Sequence, residues 1–167
     1  MTQLFAQPYD ISANGFYFET VEEYQKNAKA LRNDYGDKVE EFEIQFIDGK
    51  YIDYGLARTI GLNQVNIVQF FDCIGDWDEG QKQQVIIAVG ECGYAFDAST
   101  APSDFDVEIY EIDTMCELAE QFVDDGLFGE VPESFQFYID YDAIARDLAV
   151  DYSEVEIAGK RLIYRCN

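Results

Sequence analysis

The chain has 167 residues, of which 34 are Asp or Glu and 11 are Lys or Arg, so its formal net charge is −23 at pH 7. An apolar content of 48% and an aromatic content of 16% provide material for a buried core, which argues against a disordered acidic segment. Direct binding of nucleic acid is disfavoured because Lys and Arg, which neutralise phosphates, are scarce, and a basic protein is the natural complement of this charge.

The first module, residues 1–49, is predicted to be an αβ unit. Two short strands are expected at residues 4–7 and 16–19, on either side of turn residues. A helix should follow, because Thr20 and Glu23 form a T-x-x-E capping box. Period-two alternation then predicts a half-exposed strand through Phe42, Ile44 and Phe46.

The middle module, residues 50–103, is predicted to be helical. Apolar residues at helical spacing predict a buried helix that ends near Gly75. A second helix should begin at Asp76, where Asp76 and Glu79 form a D-x-x-E box, and a linker is expected around Pro102. The residues assigned to the first helix are Leu62, Val65, Val68 and Phe71.

The third module, residues 104–167, returns to an αβ pattern. We expect a strand at residues 107–112, a helix from Asp113 or Thr114, a helix at residues 141–149 and a terminal hairpin that turns at Ala158 and Gly159. The predicted fold class is therefore α+β, with antiparallel sheets in an elongated chain of three small modules (αβ, helical, αβ).

The acidic charge is concentrated in the third module, where residues 104–167 hold 17 acids and 4 bases. On the helix after Thr114, no Lys or Arg stands three or four residues after an acid, so pairs such as Glu120 and Asp124 repel each other at a cost of about 0.2–0.5 kcal/mol. A solvated helix face is the simpler explanation of this pattern. The repulsion between these acids lowers the stability of the helix, however, and this cost favours the hypothesis that the acidic face has a function.

The amino-acid composition and the absent motifs argue against most kinds of catalytic, cofactor and metal site. The sequence contains no histidine, which removes the commonest general base and metal ligand, and it has no Cys-x-x-Cys pair, Walker loop, GxGxxG or GxSxG motif. Carboxylate pairs such as Asp76 and Asp78 arise by chance in so acidic a chain, and the EF-hand pattern is not met. We expect no catalytic residue, no cofactor and no metal site, and predict that the protein is not an enzyme.

The sequence also predicts a cytoplasmic protein without membrane contact. No basic and apolar leader opens the chain. The longest apolar run, residues 85–89, is too short to cross a bilayer.

The segment Gly129–Leu148, GEVPESFQFYIDYDAIARDL, resembles the C-terminal signature of ArdA-type antirestriction proteins, G-x-(V/I)-P-x-S-(hydrophobic)-x-x-Y-I-D-Y-x-A-x-A-R-D-L. Fainter similarity extends from Glu108 to Gly126 and to the terminal hairpin, and the N-terminal half is similar in the order of its elements and in its acidity. The resemblance implies three small domains that form a largely dimeric mimic of bent B-form DNA. Such proteins occupy the DNA-binding groove of type I restriction-modification enzymes and are encoded on mobile genetic elements.

The resemblance assigns a role to the carboxylates of the third module. An excess of 23 negative charges corresponds to roughly 39 Å of duplex, at one charge per about 1.7 Å. Within the signature, we interpret Tyr138, Ile139, Tyr141, Ala145 and Leu148 as core residues and Asp140 as a helix cap. We predict a homodimer contact that consists of Phe122, Leu127, Phe128 and Val131. The carboxylates predicted to imitate phosphates are Asp104, Asp106, Glu108, Glu111, Asp113, Glu117, Glu120, Asp124, Asp125, Glu130, Glu133, Asp140, Asp142 and Asp147.

Three other functions remain open at this point. An acidic adaptor would bind a basic DNA-binding protein without imitating the shape of DNA. Halophilic adaptation would use the acidity for hydration alone, although it does not predict concentration of charge in one module. An enzyme that uses carboxylates alone is the fourth hypothesis.

Overall fold

The computed structural model describes residues 1–167, which form two compact units, Met1–Phe105 and Asp106–Asn167. Helices and small antiparallel sheets occur together in the chain, so the predicted α+β class with antiparallel sheets is confirmed. The division into three modules at residues 49 and 103 stays a prediction. No helix has the length and apolar composition required to cross a membrane.

The first unit opens with a three-stranded antiparallel sheet in which β1 (Gln3–Pro8) lies between β2 (Phe16–Phe18) and β3 (Phe42–Asp48). In this register Leu4 stands opposite both Phe18 and Phe46. Leu4 and Phe18 are almost fully buried, because directly opposed residues of paired strands project from the same face of the sheet.

Helix α1 (Val21–Ala30) begins at the predicted cap. The backbone N–H of Glu23 donates to Oγ1 of Thr20 at 3.1 Å, which confirms Thr20 as the N-cap residue. The Glu23 carboxylate returns to the backbone N–H of Glu19, at 2.8 Å, rather than to that of Thr20. The two bonds together fix the direction from which the chain enters the helix.

Three helices complete the first unit: α2 (Tyr51–Thr59), α3 (Ile67–Asp76) and α4 (Glu79–Gly90). The buried helix predicted through Leu62 and Val65 is wrong in its first half, because the chain turns there. Side chains hold this turn: the backbone N–H of Val65 donates to Oδ1 of Asn63 at 2.8 Å, and that of Asn63 donates to Oδ1 of Asn66 at 2.7 Å. Val65, in this turn, is 88% exposed, and Val68, within α3, is 49% exposed.

The cap predicted for the next helix is also wrong by two residues. Asp78, not Asp76, is the N-cap of α4, and its partner in the capping box is Gln81 rather than Glu79. Asp78 accepts from the backbone N–H of Gln81 at 2.8 Å, and Gln81 accepts from that of Asp78 at 2.9 Å. Asp76 remains the last residue of α3.

Sheet and helices of the first unit share one hydrophobic core. Phe42 and Ile44 of β3 are buried in the same cluster as Ala57, Ile67 and Phe70 from α2 and α3. Residues on both sides of position 49 therefore depend on each other for burial.

A buried ion pair joins α2 to α4. Nζ of Lys82 lies 2.8 Å from Oδ1 of Asp53, and both side chains are almost fully buried. Lys82 also donates to the carbonyl of Ile74 at 3.1 Å, and the hydroxyl of Thr2 donates to the Asp53 carboxylate at 3.4 Å. The two charges satisfy each other in the interior, where an unpaired charge is strongly destabilising.

The second unit contains β4 (Val107–Tyr110), α5 (Met115–Asp124), α6 (Tyr141–Leu148), β5 (Ser153–Ile157) and β6 (Lys160–Cys166). Strand β6 lies between β4 and β5 in an antiparallel sheet. Leu118, Phe122, Tyr152 and Ile163 form the core between the sheet and the helices.

The terminal hairpin turns where the sequence predicted. Ala158 and Gly159 have φ values of 53° and 81°, which two-residue turns of type I′ require, and β5 pairs with β6 on either side of them.

Candidate interaction surface

The carboxylates predicted to imitate phosphates are, with one exception, exposed side chains. Glu108 is the exception, since it is half-buried on β4. Asp104 lies in the first unit, at the end of a short 3-10 helix (Pro102–Asp104), where it accepts from the backbone N–H of Ala101 at 2.8 Å. The other members lie in the second unit, and we refer to those as the acidic surface.

Helix α5 supplies the most regular part of the acidic surface. Leu118, Ala119 and Phe122 are buried, and the opposite face carries Glu117 and Glu120. Asp124 continues this face at the last residue of the helix, and no basic residue occurs in the last turn. Since a helix rises 1.5 Å per residue, the three acids from Glu117 to Asp124 follow the axis over about 10 Å.

Local hydrogen bonds fix the first turn of α5. Thr114 is the N-cap and accepts from the backbone N–H of Glu117 at 3.2 Å, while the Glu117 carboxylate accepts from the backbone N–H of Asp113 at 3.1 Å. Glu117 is therefore oriented by the backbone, and its charge lies at the favourable end of the helix macrodipole.

Helix α6 is tied to α5 through a thiol. Asp140 caps α6 by accepting from the backbone N–H of Ala143 at 3.0 Å, as predicted. Asp142 in the first turn accepts from Sγ of Cys116 on α5 at 3.0 Å. This hydrogen bond, followed by burial and the charge of Asp142, raises the pKa of the Cys116 thiol. The acids of both helices consequently lie on two elements that are in direct contact.

Glu108 forms a polar cluster on the sheet of the second unit. It pairs with Arg165 on β6 and accepts hydrogen bonds from the hydroxyls of Tyr110 and Tyr152, at 3.3 and 3.2 Å. Burial tends to raise the pKa of the Glu108 carboxyl, but the bonds from Arg165 and Asn167 and the Arg165 charge outweigh burial and hold the pKa below its usual range. Burial and the Glu108 charge raise the pKa of Tyr152 to about 12. Glu108 is thus the candidate carboxylate whose charge is balanced by an ion pair.

Other members of the acidic surface differ in how firmly they are held. Asp106 accepts from the side chain of Asn167 at 3.2 Å, and Asp125 accepts from that of Gln121 at 3.4 Å. A further group of carboxylates has neither a hydrogen bond nor an ion pair: Glu111, Asp113, Glu120, Asp124, Glu130, Glu133 and Asp147.

Three exposed acids of the second unit were not among the predicted residues: Asp151, Glu154 and Glu156. Glu154 and Glu156 lie on β5, where Val155 and Ile157 alternate with them. This period-two pattern in the sequence marks both acids as outward-facing. The charge there is mixed, because Glu156 stands opposite Arg161 in the hairpin, and an open cleft of about 440 Å³ is lined by both residues together with Glu111 and Asp113.

Residues 127–138 form an exposed aromatic segment in the second unit. Phe137 and Tyr138, in a 3-10 helix (Glu133–Tyr138), are 94% and 82% exposed. The interpretation of Tyr138 as a core residue is therefore wrong. Ile139, Tyr141, Ala145 and Leu148 are half-buried rather than fully buried.

The residues predicted for a dimer contact divide between surface and core. Leu127 and Phe128 are 62% and 56% exposed, and Val131 is half-buried. Phe122 is 4% exposed, and its ring stacks edge-on against Tyr110 and Tyr152 at 5.5 and 5.7 Å between centroids. Phe122 therefore belongs to the core of the second unit and is not itself available for a dimer contact.

Comparison with known families gives one result. A family model described as antirestriction protein (ArdA) matches residues 5–159. A search of curated proteins found no match. The family match covers both units and includes the signature segment on which the resemblance rested.

Proposed function

This chain belongs to the ArdA family of antirestriction proteins, and we propose that it is a DNA mimic that occupies the DNA-binding groove of a type I restriction-modification enzyme. Its partner is then a protein, and the chain acts by stoichiometric inhibition rather than by catalysis. The observation that carries this proposal is the acidic surface, whose carboxylates are exposed and, apart from Glu108, lack a basic partner within the chain.

Exposed charges without partners are suited to this role. A DNA-binding groove carries Lys and Arg side chains that neutralise phosphates. Carboxylates that already formed internal ion pairs would have to exchange partners on binding, whereas those of Glu120, Asp124 and Glu133 are available at once. Attraction of this kind accelerates association and decreases steeply with added salt.

The spacing of the acids on α5 can be compared with the spacing of phosphates on a DNA strand. The three acids on α5 follow one another at intervals of roughly 5 Å along the helix axis, and successive phosphates of one DNA strand are about 3.4 Å apart along theirs. Helix α5 alone is thus less dense than a strand, and the proposal requires neighbouring acids such as Asp142 and Asp147 of α6 to contribute.

We further propose that the protein is a homodimer. The contact would use the exposed aromatic segment, in which Leu127 and Phe128 of the predicted contact lie beside Phe135, Phe137 and Tyr138 in the sequence. Large apolar side chains at this exposure are typical of surfaces that bind another protein. Two copies would double the length of duplex whose charge the protein can imitate, and the cytoplasm, where restriction enzymes act on incoming DNA, is the expected location.

Protection of DNA from cleavage by a purified type I enzyme tests the function. Six acids of the acidic surface that have no partner should be changed to amides together: Glu111, Glu120, Asp124, Glu130, Glu133 and Asp147. At about 0.2–1 kcal/mol per exposed ion pair, their loss should weaken inhibition by tenfold or more. Any one of these changes alone should have a small effect, because the charges act collectively.

A matched variant controls for net charge. It changes six exposed acids of the first unit to amides: Glu22, Asp34, Asp37, Glu41, Asp48 and Glu91. We expect this variant to retain more inhibition than the first. Equal loss in both would indicate an acidic adaptor without a defined surface, and one indispensable carboxylate would indicate catalysis; either result contradicts the proposal.

A further inference from the structure

A groove in the first unit combines apolar and acidic side chains in a way that the proposed function does not use. One wall is the outer face of α3, with Val65 before it, and the other wall is the loop at residues 96–100. The cavity between them has a volume of about 580 Å³, which is in the range of clefts that receive a ligand. We call this cavity the α3 groove.

The face of α3 that lines the groove has a regular order. Val65, Val68, Asp72 and Asp76 are separated by three, four and four residues, so they share one side of the helix. The opposite side, with Ile67 and Phe70, is buried in the core. The outer side is thus apolar at its N-terminal end and acidic at its C-terminal end.

The acids of the groove have no cation of their own. Neither Asp72 nor Asp76 forms a hydrogen bond or an ion pair. The nearest base in the sequence, Lys82, points inward and is occupied by Asp53. Burial, together with the charges of Asp72 and Asp76, raises the pKa of the neighbouring Cys73 thiol to about 11, as expected beside unneutralised carboxylates.

Trp77 and a fixed loop complete the groove. The ring of Trp77 stands perpendicular to that of Phe96, with 6.4 Å between centroids. Gln69 donates from Nε2 to the carbonyl of Asp97 at 2.6 Å, which attaches the loop to α3. A tryptophan ring beside two carboxylates suits a cationic side chain, because the ring face attracts cations as the carboxylates do.

We propose that the α3 groove binds a cationic amphipathic helix of a partner protein. Val68, Asp72 and Asp76 follow one another one helical turn apart, over about 12 Å. A helix lying alongside α3 would present an apolar residue and two Lys or Arg residues at the same spacing. Charge complementarity selects this occupant over a second copy of the chain, whose net charge is −23.

The single tryptophan of the chain makes the groove directly observable. A synthetic amphipathic helix of Leu, Ala and Lys should be titrated into the protein while the emission of Trp77 is recorded. Peptide that binds far from Trp77 should leave this signal nearly unchanged, and the variants below separate the two cases. We expect a saturable shift in emission. D72N/D76N should weaken the apparent affinity by about 2- to 30-fold, which corresponds to two exposed ion pairs.

A matched variant and a second pair of substitutions control the experiment. E120Q/D124N removes an acid pair of the same spacing from α5 and should leave the affinity unchanged within about twofold. V65S/V68S should weaken binding without altering charge, and circular dichroism checks that each variant is folded.

Three results would overturn the inference. The first is unchanged affinity in D72N/D76N or in V65S/V68S. The second is an equal emission shift with a peptide of Lys and Ala alone, which would reduce the groove to a non-specific acidic patch. The third is an emission shift that depends on protein concentration without peptide, since it would identify a second copy as the occupant. None of these results bears on protection of DNA from restriction, so the two proposals fail separately.

Discussion

Neutralising Glu120 and Asp124 on α5 should make the protein more stable and a poorer inhibitor. The double variant E120Q/D124N removes the repulsion of Glu120 with Glu117 and with Asp124, at about 0.2–0.5 kcal/mol for each pair. It also removes an anion from the negative end of the helix, at about 0.3–1 kcal/mol. Together these terms predict an increase of roughly 0.7–2 kcal/mol in the free energy of unfolding.

Urea denaturation at low ionic strength measures this change. The gain should shrink when the experiment is repeated in 1 M NaCl, where the Debye length is about 3 Å. A control with the opposite sign is E22Q, since Glu22 lies in the first turn of α1, where an anion is stabilising, and its loss should cost about 0.3–1 kcal/mol. If E120Q/D124N were no more stable than the wild type, or if its gain did not depend on salt, the α5 acids would not be in electrostatic conflict and the reasoning would be refuted.

Three further predictions concern stability, acid sensitivity and association. K82M should lower the free energy of unfolding by about 3–5 kcal/mol because the buried Asp53 carboxylate is left without an opposite charge, whereas D53L/K82M should lose much less. Urea denaturation compares the two variants, and equal losses would contradict a satisfied buried pair. The lowered pKa of Glu108 means that its stabilising effect is present at neutral pH and is lost as the pH falls below the ordinary value of 4.5 through the folded-state value. The melting temperature of E108Q should consequently fall less than that of the wild type between pH 7 and pH 3, and parallel curves would rule this out. F137S should weaken self-association in sedimentation velocity without lowering stability, while F122A should lose about 3–5 kcal/mol as a core truncation; unchanged association in F137S would remove the aromatic segment from the dimer contact.

Local signals in the sequence located most elements of the fold. Thr20 and Asp140 were identified as helix caps because a cap is set by a few neighbouring residues. Alternation predicted β3, and the Ala158–Gly159 turn was identified because glycine readily adopts the positive φ that such a turn requires.

Elements that depend on tertiary packing were missed. Helix α2 has no side-chain cap and contains Gly55, which lowers helix propensity. Its formation relies on contact with α4, and a Cβ at Gly55 would lie 3.3 Å from Cδ1 of Ile86. No window of sequence around Gly55 contains that partner.

Burial of aromatic residues was the least predictable property of the candidate site. Phe122 and Phe137 are chemically identical, yet they are 4% and 94% exposed. Phe122 was predicted to take part in a dimer contact, although the helical period of α5 places it on the inner face with Leu118 and Ala119. The short 3-10 helix that contains Phe137 and Tyr138 has no comparable period. Tyr138 was assigned to the core because it is aromatic, and that assignment was wrong.

Competition at the DNA-binding groove is the most direct test of the proposed function. A fluorescent duplex that contains the recognition site would be bound to the methyltransferase core of a type I enzyme, and the protein would be added at low and moderate salt. We predict complete and mutually exclusive displacement of the duplex, with an apparent affinity that falls steeply as salt increases. A ternary complex in which the enzyme holds the duplex and this protein together would contradict occupation of the groove.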